Sequence, residues 1–597
     1  MPIVNADVAA VFDQIADLLE VQGANPFRIR AYRNAARNVS ELGGSVAEML
    51  ARGEDLDALP GIGADLAGKI AEIVASGTCQ QLESLRKEVP AAITELLAIP
   101  RLGPRRVRAL HHELGVQTLP ELLQAARDGR ISRVPGFGSK MEQQILEAAA
   151  SRLAQERRFK LGVAAQVADA LLAELKQVQG VGQAVAAGSL RRMRETVGDL
   201  DLLVTAQRGS PVMERFAGSP DVARVLSKGP TRASVVLRNG LQVDLRSVQA
   251  ASFGSAWLYF TGSKAHNIAL RRMAQEAGLK LNEYGLWRGG ERIAGSTETS
   301  VYRALGLPYI EPELREDRGE IEAARGHRLP KLVRLADLRG DLHVHTRESD
   351  GRDSLTAMAE AARSRGMRYL AVTEHSKRLA LARGLDAGRL ARQIDQIDAL
   401  NAGLQGITLL KGIEVDILED GQLDLPDAML ERLDLVVGAI HQGFELPRDR
   451  QTDRLLRAMD HRCFTILAHP TGRLIDERPA CDIDLERVIR HARQRGCYLE
   501  LNTQPARLDL TDLACRMARD EGVLVSIASD AHSTLELDHM RLGIGQARRG
   551  WLRAQDVLNA RPLTELRALL DATMGRAARP RRAAVAATVV PADAHAG

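Results

Sequence analysis

Short apolar runs separated by helix-like segments dominate the C-terminal part of this chain and constrain its fold more than any other feature. Between about Gly340 and Met574 these runs are the segments 369–373, 435–440, 464–468 and 523–527. Continuous apolar runs of this length are typical of strands buried on both faces, and their alternation with helices indicates a parallel sheet. The pattern predicts an α/β barrel with its functional residues at the C-terminal ends of the strands.

Residues of metal-ligand type occur within a few residues of the ends of those runs, namely His375, His441, His469, Asp530 and His532. The His343-x-His345 pair, Asp350 and Glu414 bring the set to nine. Imidazoles and carboxylates converging from different strands bind Zn²⁺, Mn²⁺ or Fe²⁺ ions, lower the pKa of a bound water and hold a phosphate between metals. One such histidine alone is usually an ordinary structural residue, but nine in this frame predict a centre that hydrolyses phosphoesters.

A separate acidic motif lies upstream. Asp199 and Asp201 form an Asp-x-Asp pair on a predicted strand, which places both carboxylates on one face. The alternating runs 234–238 and 241–247 are joined by Asn239-Gly240, which predicts a hairpin with a type I′ turn and puts Asp244 on the returning strand. Three carboxylates on adjacent strands clamp two Mg²⁺ ions about 3.5–4 Å apart, so the motif predicts nucleotidyl transfer to a 3′-hydroxyl.

The residues just before this pair fit a phosphate-bearing ligand. Gly188 allows close approach of the backbone, Ser189 offers a hydroxyl, and Arg192 supplies a fork of donors for phosphate oxygens. An isolated Asp-x-Asp often does no more than end an exposed strand. Because Gly188 and Ser189 precede the pair and Asp244 follows it, a nucleotidyl-transfer site is the favoured interpretation.

The first 150 residues contain an internal repeat at 59–63, 99–103 and 134–138. Each copy reads as a helix-hairpin-helix turn, in which amides at a helix N-terminus face a DNA phosphate without reading a base. The turn residues expected to contact DNA are Gly61, Gly63, Gly103, Gly136 and Gly138. Arg101 replaces the first glycine of the middle copy, and the nearby Arg105, Arg106 and Arg108 either neutralise phosphates or form a solvated basic face.

Length and composition bound the remaining possibilities. A chain of 597 residues suggests about four domains, and a formal net charge of +4 neither demonstrates nor excludes nucleic-acid binding. Five cysteines without CxxC spacing indicate reduced thiols, and no apolar run approaches the roughly 18 residues of a membrane helix. We therefore expect a cytoplasmic, nucleoid-associated protein with no membrane partner. The tail from about Gly575 is predicted to be disordered.

The motifs together resemble two known families. The N-terminal 315 residues or so resemble family X DNA polymerases of the DNA polymerase beta type, through Gly-Ser with Asp-x-Asp and through Tyr-Phe-Thr-Gly-Ser at 259–263. Residues from about 340 to 574 resemble the polymerase-and-histidinol-phosphatase (PHP) domain through all nine ligand positions. The implied fold class is multidomain α+β and α/β, with helical helix-hairpin-helix N-terminal domains, a beta-polymerase-like nucleotidyltransferase palm and a C-terminal PHP-type distorted β/α barrel.

The resemblance also implies domain boundaries. These are an 8-kDa-like helical DNA-binding domain at 1–88, a helix-hairpin-helix subdomain at 89–155, the palm at 156–250, a dNTP- and template-binding subdomain at 251–315, a linker at 316–337, the PHP domain at 338–574 and the tail at 575–597. The linker is expected to tether two separately folded halves, because Ile310 to Arg339 is charged and poorly periodic.

Roles for the polymerase residues follow from the same resemblance. Asp199, Asp201 and Asp244 are expected to bind two catalytic Mg²⁺ or Mn²⁺ ions, and Ser189 and Arg192 to contact the incoming triphosphate. Tyr259, Phe260 and Gly262 are expected to line its sugar, and Asn267 and Arg271 to contact the base or the template strand. Lys264 stands where the beta enzyme has an acidic residue.

The resemblance also implies a lyase centre in the N-terminal domain. Lys69 aligns with the family's Schiff-base lysine, which needs a lowered pKa to supply a free amine. Arg28 and Tyr32 match part of a 5′-phosphate pocket, but Asp65 replaces one of its lysines and would repel phosphate. We expect recognition of a 5′-phosphate with weak lyase activity at most. A surface lysine on a helix is the alternative.

The PHP resemblance implies up to three Mn²⁺, Zn²⁺ or Fe²⁺ ions and a 3′-to-5′ exonuclease, with 3′-phosphatase and abasic endonuclease work as further candidates. The sequence Thr373-Glu374-His375 stands where the family commonly has Thr-Asp-His. The residue that differs, Glu374, is not one of the nine ligands. The leading hypothesis is therefore a repair polymerase that fills short gaps in base excision repair or end joining. It would act on gapped or nicked DNA with dNTPs, and repair proteins are its expected protein partners. The alternatives are a PHP phosphoesterase with a degenerate polymerase half and a non-catalytic DNA-repair scaffold.

Overall fold

A computed structural model describes residues 3, 5–40, 42, 45–59, 61–88, 96–97, 99, 102–154 and 158–576. The expected disordered tail beyond residue 576, Arg101 of the middle hairpin and the side chain of Arg105 lie outside the described residues. Within the described ranges, no helix is both long and apolar enough to cross a membrane.

Two small helical bodies form the N-terminal part. Their helices are α1 Asn5–Gln22, α2 Pro26–Ser40, α3 Val46–Ala51, α4 Ala64–Ser76, α5 Gln80–Glu88, α6 Pro104–Leu114, α7 Leu119–Arg127 and α8 Ser139–Ala154. The amphipathic stripe of α1 packs inward, since Phe12, Ile15 and Leu18 are fully buried. A second apolar cluster, around Leu110 and Leu122, is built from α6 to α8.

A five-stranded sheet covered by α9 (Leu161–Lys176) forms the nucleotidyltransferase body. Its strands, in spatial order, are β2 Val181–Ala186, β4 Asp199–Ala206, β7 Gln242–Val248, β6 Arg232–Leu237 and β5 Val222–Lys228. β1 Phe159–Lys160 pairs with β3 Thr196–Val197 beside it, and α10 Gly188–Arg191 and α11 Val212–Ala217 complete the body. β4 and β7 are parallel neighbours, so residues on one face of each lie side by side.

The hairpin between β6 and β7 is confirmed, but its turn is not of type I′. Leu237 N–H donates to the Leu241 carbonyl, and Gly240 N–H donates to the Leu237 carbonyl, so three residues form the loop. Gly240 has a φ of 90°, whereas Asn239 does not take the positive φ that a type I′ turn requires at both central positions. This is the three-residue turn in which a single glycine takes the left-handed conformation.

The next body contains the predicted nucleotide-binding residues. It comprises α12 Phe253–Thr261, α13 Lys264–Glu276, the antiparallel strands β8 Lys280–Asn282, β9 Gly285–Arg288 and β10 Glu291–Ala294, and α14 Glu298–Ala304. Its core includes Tyr302, and Trp551 from the C-terminal part packs into the same apolar cluster. This body and the C-terminal part therefore share a core.

Residues 316–337, expected to be a linker, are instead folded. They contain α15 Glu320–Arg325, and Ala324 and Val333 are fully buried. The charges that suggested a solvated segment are paired with distant residues, as when Glu320 accepts from His266 at 2.6 Å. The segment packs the polymerase part against the C-terminal part, so the two halves are not loosely tethered.

The C-terminal part is a distorted parallel barrel. Its strands are β11 Gly340–Val344, β12 Tyr369–Val372, β13 Thr408–Lys411, β14 Glu414–Asp416, β15 Val437–Ala439, β16 Ile466–Leu467, β17 Tyr498–Asn502 and β18 Val525–Ala528. A bridge between His375 and Glu414 joins the two sheets, and one between Val344 and Ala531 closes the ring. The flanking helices are α16 Leu355–Ser364, α17 Ala387–Gly403, α18 Asp427–Leu430, α19 Arg448–Asp460, α20 Leu485–Arg495, α21 Asp512–Asp520, α22 Met540–Arg549 and α23 Leu563–Thr573.

Candidate metal-dependent active sites

The three polymerase carboxylates lie on the adjacent strands β4 and β7. Asp201 is directly opposite Asp244 in the parallel register, and Asp199 is two residues earlier on the same face of β4. Burial, together with the charges of Asp199 and Asp244, raises the pKa of Asp201 to about 7. Such mutual repulsion is the electrostatic condition that a bound divalent cation relieves.

Close packing explains the glycine of the Gly-Ser motif. Gly188 begins α10 with a φ of 62°, and a Cβ placed there would overlap the Asp201 carboxylate. The Ala187 N–H donates to the Asp201 carbonyl at 2.8 Å. The motif therefore brings Ser189, the next residue, to the edge of the acidic site.

The Arg192 guanidinium is already hydrogen-bonded to other residues of the protein. It donates to Glu316 at 3.0 Å and to the Thr261 carbonyl at 2.7 Å. Arg549 of α22 donates to the same Glu316 at 2.8 Å. In this conformation Arg192 joins the polymerase part to the PHP part, and a triphosphate would have to compete with Glu316 for it. Sequence reasoning missed Glu316, because it is 124 residues away along the chain.

The other predicted nucleotide-binding residues lie together. The rings of Tyr259 and Phe260 are 5.0 Å apart, and Arg271 lies 4.9 Å from the Tyr259 ring. The Asn267 amide donates to the Tyr259 carbonyl at 2.6 Å. A Cβ on Gly262 would come within 2.9 Å of the Asn267 side chain, so this position needs glycine.

Arg246 joins this group without having been predicted. Its guanidinium lies 4.3 Å from the Phe260 ring, and its charge acts to lower the pKa of Asp201. The signal was its spacing, since Arg246 is two residues beyond Asp244 on β7 and shares its face.

The nine PHP residues gather at the C-terminal ends of the barrel strands, as expected. Ligand atoms that all lie within 4.8 Å of one another define three groups: His345, Asp350, His375 and His532; His343, His345 and Asp530; His375, Glu414 and His441. The remaining residue, His469, lies 2.9 Å from Glu414. Among the described residues, groups this compact occur only here, and the three polymerase aspartates do not form one.

The donor atoms of this cluster fit metal ions better than they fit one another. His375 Nδ1 and Glu414 Oε2 are 2.6 Å apart, yet both are buried without a hydrogen-bond partner. Nδ1 of His345 and of His469 is buried in the same unpaired state. Buried nitrogen and oxygen atoms that face each other without a hydrogen bond are an arrangement that a divalent cation satisfies.

Charge distribution in the cluster supports the same interpretation. Burial, with the charges of His532 and His375, lowers the pKa of His345 to about 3, and burial with the Arg507 charge lowers that of His469 to about 4. Burial opposes ionisation of Glu414, but the surrounding imidazoles outweigh it and hold its pKa well below the ordinary value. The carboxylates raise the pKa values of His343, His375 and His441, and raise that of His532 to about 10, so these imidazoles carry positive charge that a bound divalent cation would replace.

Two of the predicted ligands have an unusual backbone conformation. His469 has a φ of 27° and Asp530 a φ of 52°, in the left-handed region that non-glycine residues seldom adopt. Such conformations concentrate at functional sites, where the surroundings maintain them.

Carboxylates behind the ligands were missed by sequence reasoning. Glu500 lies 2.9 Å from His343 Nδ1, and Asp416 lies 2.9 Å from His441 Nδ1. Each orients an imidazole so that its other nitrogen faces the cluster. Glu374, the residue that departs from the usual PHP motif, contacts Thr346, Ser349 and Gln393 instead of a ligand.

The N-terminal candidates are only partly brought together. Burial would lower the pKa of Lys69, but its ion pair with Asp65 and the nearby Tyr32 raise it above the ordinary value, which opposes a free amine. Tyr32 is buried against Phe12, whereas Arg28 is exposed and donates to Gln81 at 2.8 Å. The structure therefore weakens the lyase expectation.

The hairpin glycines occupy turns and helix starts. Gly61 and Gly136 have φ values of 72° and 88°, and Gly63 and Gly103 are the N-cap residues of α4 and α6. Gly138 immediately precedes α8. These positions leave backbone amides at helix N-termini, as phosphate contact requires.

A cavity of about 2290 Å³ reaches the PHP cluster from between the parts of the molecule. It is lined by His441, His469 and His532 of the cluster, by Arg33 of the N-terminal body and by Lys160 of the nucleotidyltransferase body. A nucleic-acid end entering it would meet all three parts.

Comparison with known proteins identifies the family. A Bacillus subtilis (strain 168) protein named DNA polymerase/3′-5′ exonuclease PolX is 39% identical over 568 residues, which cover 94% of this chain and 99% of that protein. The chain belongs to the bacterial family X DNA polymerases. Its family X body matches the DNA polymerase beta thumb at 256–316, and its other parts match a Helix-hairpin-helix domain at 3–79, a SAM-like Helix-hairpin-helix tandem at 93–151 and a PHP domain at 341–504.

Two more distant relatives each match only part of this family X chain. DNA polymerase lambda of Rattus norvegicus is 26% identical over 345 residues, covering 52% of this chain and 56% of that protein. A probable phosphatase of Thermoanaerobacter sp. (strain X514) is 26% identical over 230 residues, covering 37% of this chain and 89% of that protein.

Proposed function

We propose that this chain is a DNA-directed DNA polymerase that fills gaps of one to a few nucleotides in base excision repair or end joining, and that its PHP domain is a metal-dependent 3′-to-5′ exonuclease that trims 3′ ends. The proposal rests on one observation. Two separate sets of residues suited to binding cations, aspartates on β4 and β7 and mostly imidazoles at the barrel mouth, lie in a single chain.

The polymerase residues divide the work of nucleotidyl transfer. Asp199, Asp201 and Asp244 hold two Mg²⁺ or Mn²⁺ ions, which when bound supply Lewis acidity at the 3′-hydroxyl and at the triphosphate. Ser189 binds a phosphate oxygen, and Tyr259 with Phe260 forms an aromatic surface for the sugar. Asn267 and Arg271 position the base and template, since both lie against Tyr259.

The PHP residues perform the opposite reaction. The nine ligands hold up to three Mn²⁺, Zn²⁺ or Fe²⁺ ions, which when bound activate water and stabilise charge on the phosphodiester. Glu500 and Asp416 keep His343 and His441 oriented towards the cluster. The burial of the cluster keeps bulk water away from the reacting phosphate.

DNA reaches these sites through the helical bodies. Amides at the hairpin glycines contact backbone phosphates of gapped or nicked DNA without reading sequence. The boundaries proposed for the bodies are those expected above, except that 316–337 belongs with the polymerase part as an ordered connection. Other repair proteins are further proposed partners.

The test is primer extension on 5′-labelled gapped DNA with Mg²⁺ or Mn²⁺. Asp201→Ala should abolish synthesis and keep nuclease activity, because it removes a carboxylate from one of the two sets only. His343→Ala should do the reverse. Exposed residues of the same types provide matched controls, Asp169→Ala and His112→Ala, which should alter neither activity. If both site variants spared both activities, the assignments would be wrong.

Neither alternative function gains support from the site geometry. A degenerate polymerase half would not need the close fit of Gly188 against Asp201, and a scaffold would not need buried, unpaired imidazoles. Abasic-site chemistry at Lys69 would require a variant in which the Asp65 pair is removed, because that pair keeps the amine protonated.

A further inference from the structure

Arg507 stands at the mouth of the PHP cluster and has no assigned role. It lies in the loop between β17 and α21, and Gln504, Pro505, Ala506 and Arg507 line the large cavity together with cluster residues such as His469 and Asp530. Its positive charge acts on His469, so the guanidinium lies within electrostatic reach of the ligands.

The guanidinium of Arg507 is unsatisfied. Its Nη1 is buried without a hydrogen-bond partner, and its side chain forms no hydrogen bond or ion pair with any described residue. The neighbouring arginines differ, because Arg478 donates to the Gly472 carbonyl at 2.7 Å and Arg473 pairs with Glu195 at 2.6 Å. Arg507 as a whole is only partly buried, but burying its Nη1 without a partner is costly, so an anion oxygen is expected to complete this site.

The loop fixes Arg507 in place from both sides. Arg473 Nε donates to the Arg507 carbonyl at 2.9 Å, and Ile475 N–H donates to the Ala506 carbonyl at 2.7 Å. Leu508, the next residue, is fully buried in the apolar core of the nucleotidyltransferase body. The backbone is thus held while the guanidinium remains available, which is the arrangement expected of a preformed anion subsite.

We propose that Arg507 binds a non-bridging oxygen of the DNA phosphodiester at the PHP site, beside the metal ligands. The inference rests on the proposed phosphoesterase function and adds a substrate-contacting residue to it. Arginine suits this position because its planar fork matches phosphate oxygens and it stays charged when partly buried. The acidic members of the cluster do not need it as a counterion, since Glu414 and Asp530 are already surrounded by imidazoles.

The test uses the full chain loaded with Mn²⁺ and inorganic phosphate as the probe. Isothermal titration should show phosphate affinity about 10- to 100-fold weaker in Arg507→Ala, as expected for loss of one charged hydrogen bond. Arg507→Lys should give an intermediate value, because it keeps the charge but loses the fork. The KM for bis(p-nitrophenyl) phosphate should rise in the same order.

A matched control removes a different arginine from the same cavity. Arg383 lines it but is exposed, so Arg383→Ala should change phosphate affinity by no more than about twofold. Unchanged phosphate affinity in Arg507→Ala, in a chain that still carries metal and cleaves 3′ ends, would overturn the Arg507 proposal alone. Loss of bound Mn²⁺ in Arg507→Ala would also overturn it, because the arginine would then be structural. A wild-type chain that neither binds Mn²⁺ nor cleaves DNA would overturn the proposed function as well.

Discussion

At the scale of single residues, the ligand positions were predictable because each motif is local. Asp199 and Asp201 share a face through the two-residue period of a strand, and the barrel ligands follow apolar runs that are visible in the sequence. The supporting partners were not predictable. Glu500 reads as one polar residue within an apolar run, and only the fold brings it to His343 across 157 positions.

Protons compete with the metal ion for the Asp201 carboxylate, so DNA synthesis should depend on pH. Because burial and two neighbouring aspartates raise the pKa of Asp201 to about 7, the acid is protonated below that pH and must ionise to bind metal. The Mg²⁺ concentration for half-maximal synthesis should be nearly constant above pH 7 and should rise by up to about tenfold per pH unit below it. The measurement is gap filling in a His343→Ala chain at pH 6 and pH 8, and equal Mg²⁺ requirements would contradict the prediction.

A second residue-scale prediction concerns Glu500, which is fully buried and orients His343. Glu500→Gln should weaken Mn²⁺ binding at the PHP site by about 10- to 100-fold, as is typical when such a partner is replaced. Metal titration of the purified chain would measure it, and synthesis on gapped DNA should be unaffected. Glu486→Gln, at an exposed position, is the control. Wild-type Mn²⁺ affinity in Glu500→Gln would show that Glu500 does not support the ligand.

At the scale of elements, local pattern again separates what was predictable from what was not. The apolar runs 369–373 and 523–527 correspond to β12 and β18, because strands buried on both faces consist largely of consecutive apolar residues. The prediction of a linker at 316–337 was wrong, because its charged residues are paired with residues that are distant in the sequence. Arg315, just before it, is fully buried and donates to Glu298 at 2.6 Å.

The contact between the halves predicts a stability effect. Arg549 on α22 has a nearly buried side chain that donates to Glu316 at 2.8 Å and to Asp512 at 2.7 Å. Arg549→Ala should lower the free energy of unfolding by about 1.5–3 kcal/mol, because it removes a buried charged donor from Glu316 and Asp512, which keep only Arg192 and Arg318 as partners. Urea denaturation would measure the loss, and the exposed Arg448→Ala should cost less than about 1 kcal/mol. A loss no larger than that of the control would show that this network does not hold the halves together.

At the scale of the whole molecule, the chain combines two phosphodiester chemistries, and three parts of the molecule line the cavity at the PHP cluster. The PHP cluster opens into a space that is also lined by the N-terminal and nucleotidyltransferase bodies. Arg192 and Glu316 connect the nucleotide side to α22 of the barrel. These long-range relations follow from packing between distant segments, so motif reading could establish the two sites but not their arrangement.

The most direct test of the account follows a single 5′-labelled primer in a gapped duplex, with Mn²⁺ and the wild-type chain, in the presence and absence of dNTPs. Without dNTPs the primer should shorten one nucleotide at a time, and with dNTPs it should lengthen until the gap is filled. Asp201→Ala should only shorten it and His343→Ala should only lengthen it. A wild-type chain that performs just one of these reactions, or a single variant that loses both while remaining folded, would contradict the claim that two separate metal sites act on the same DNA end.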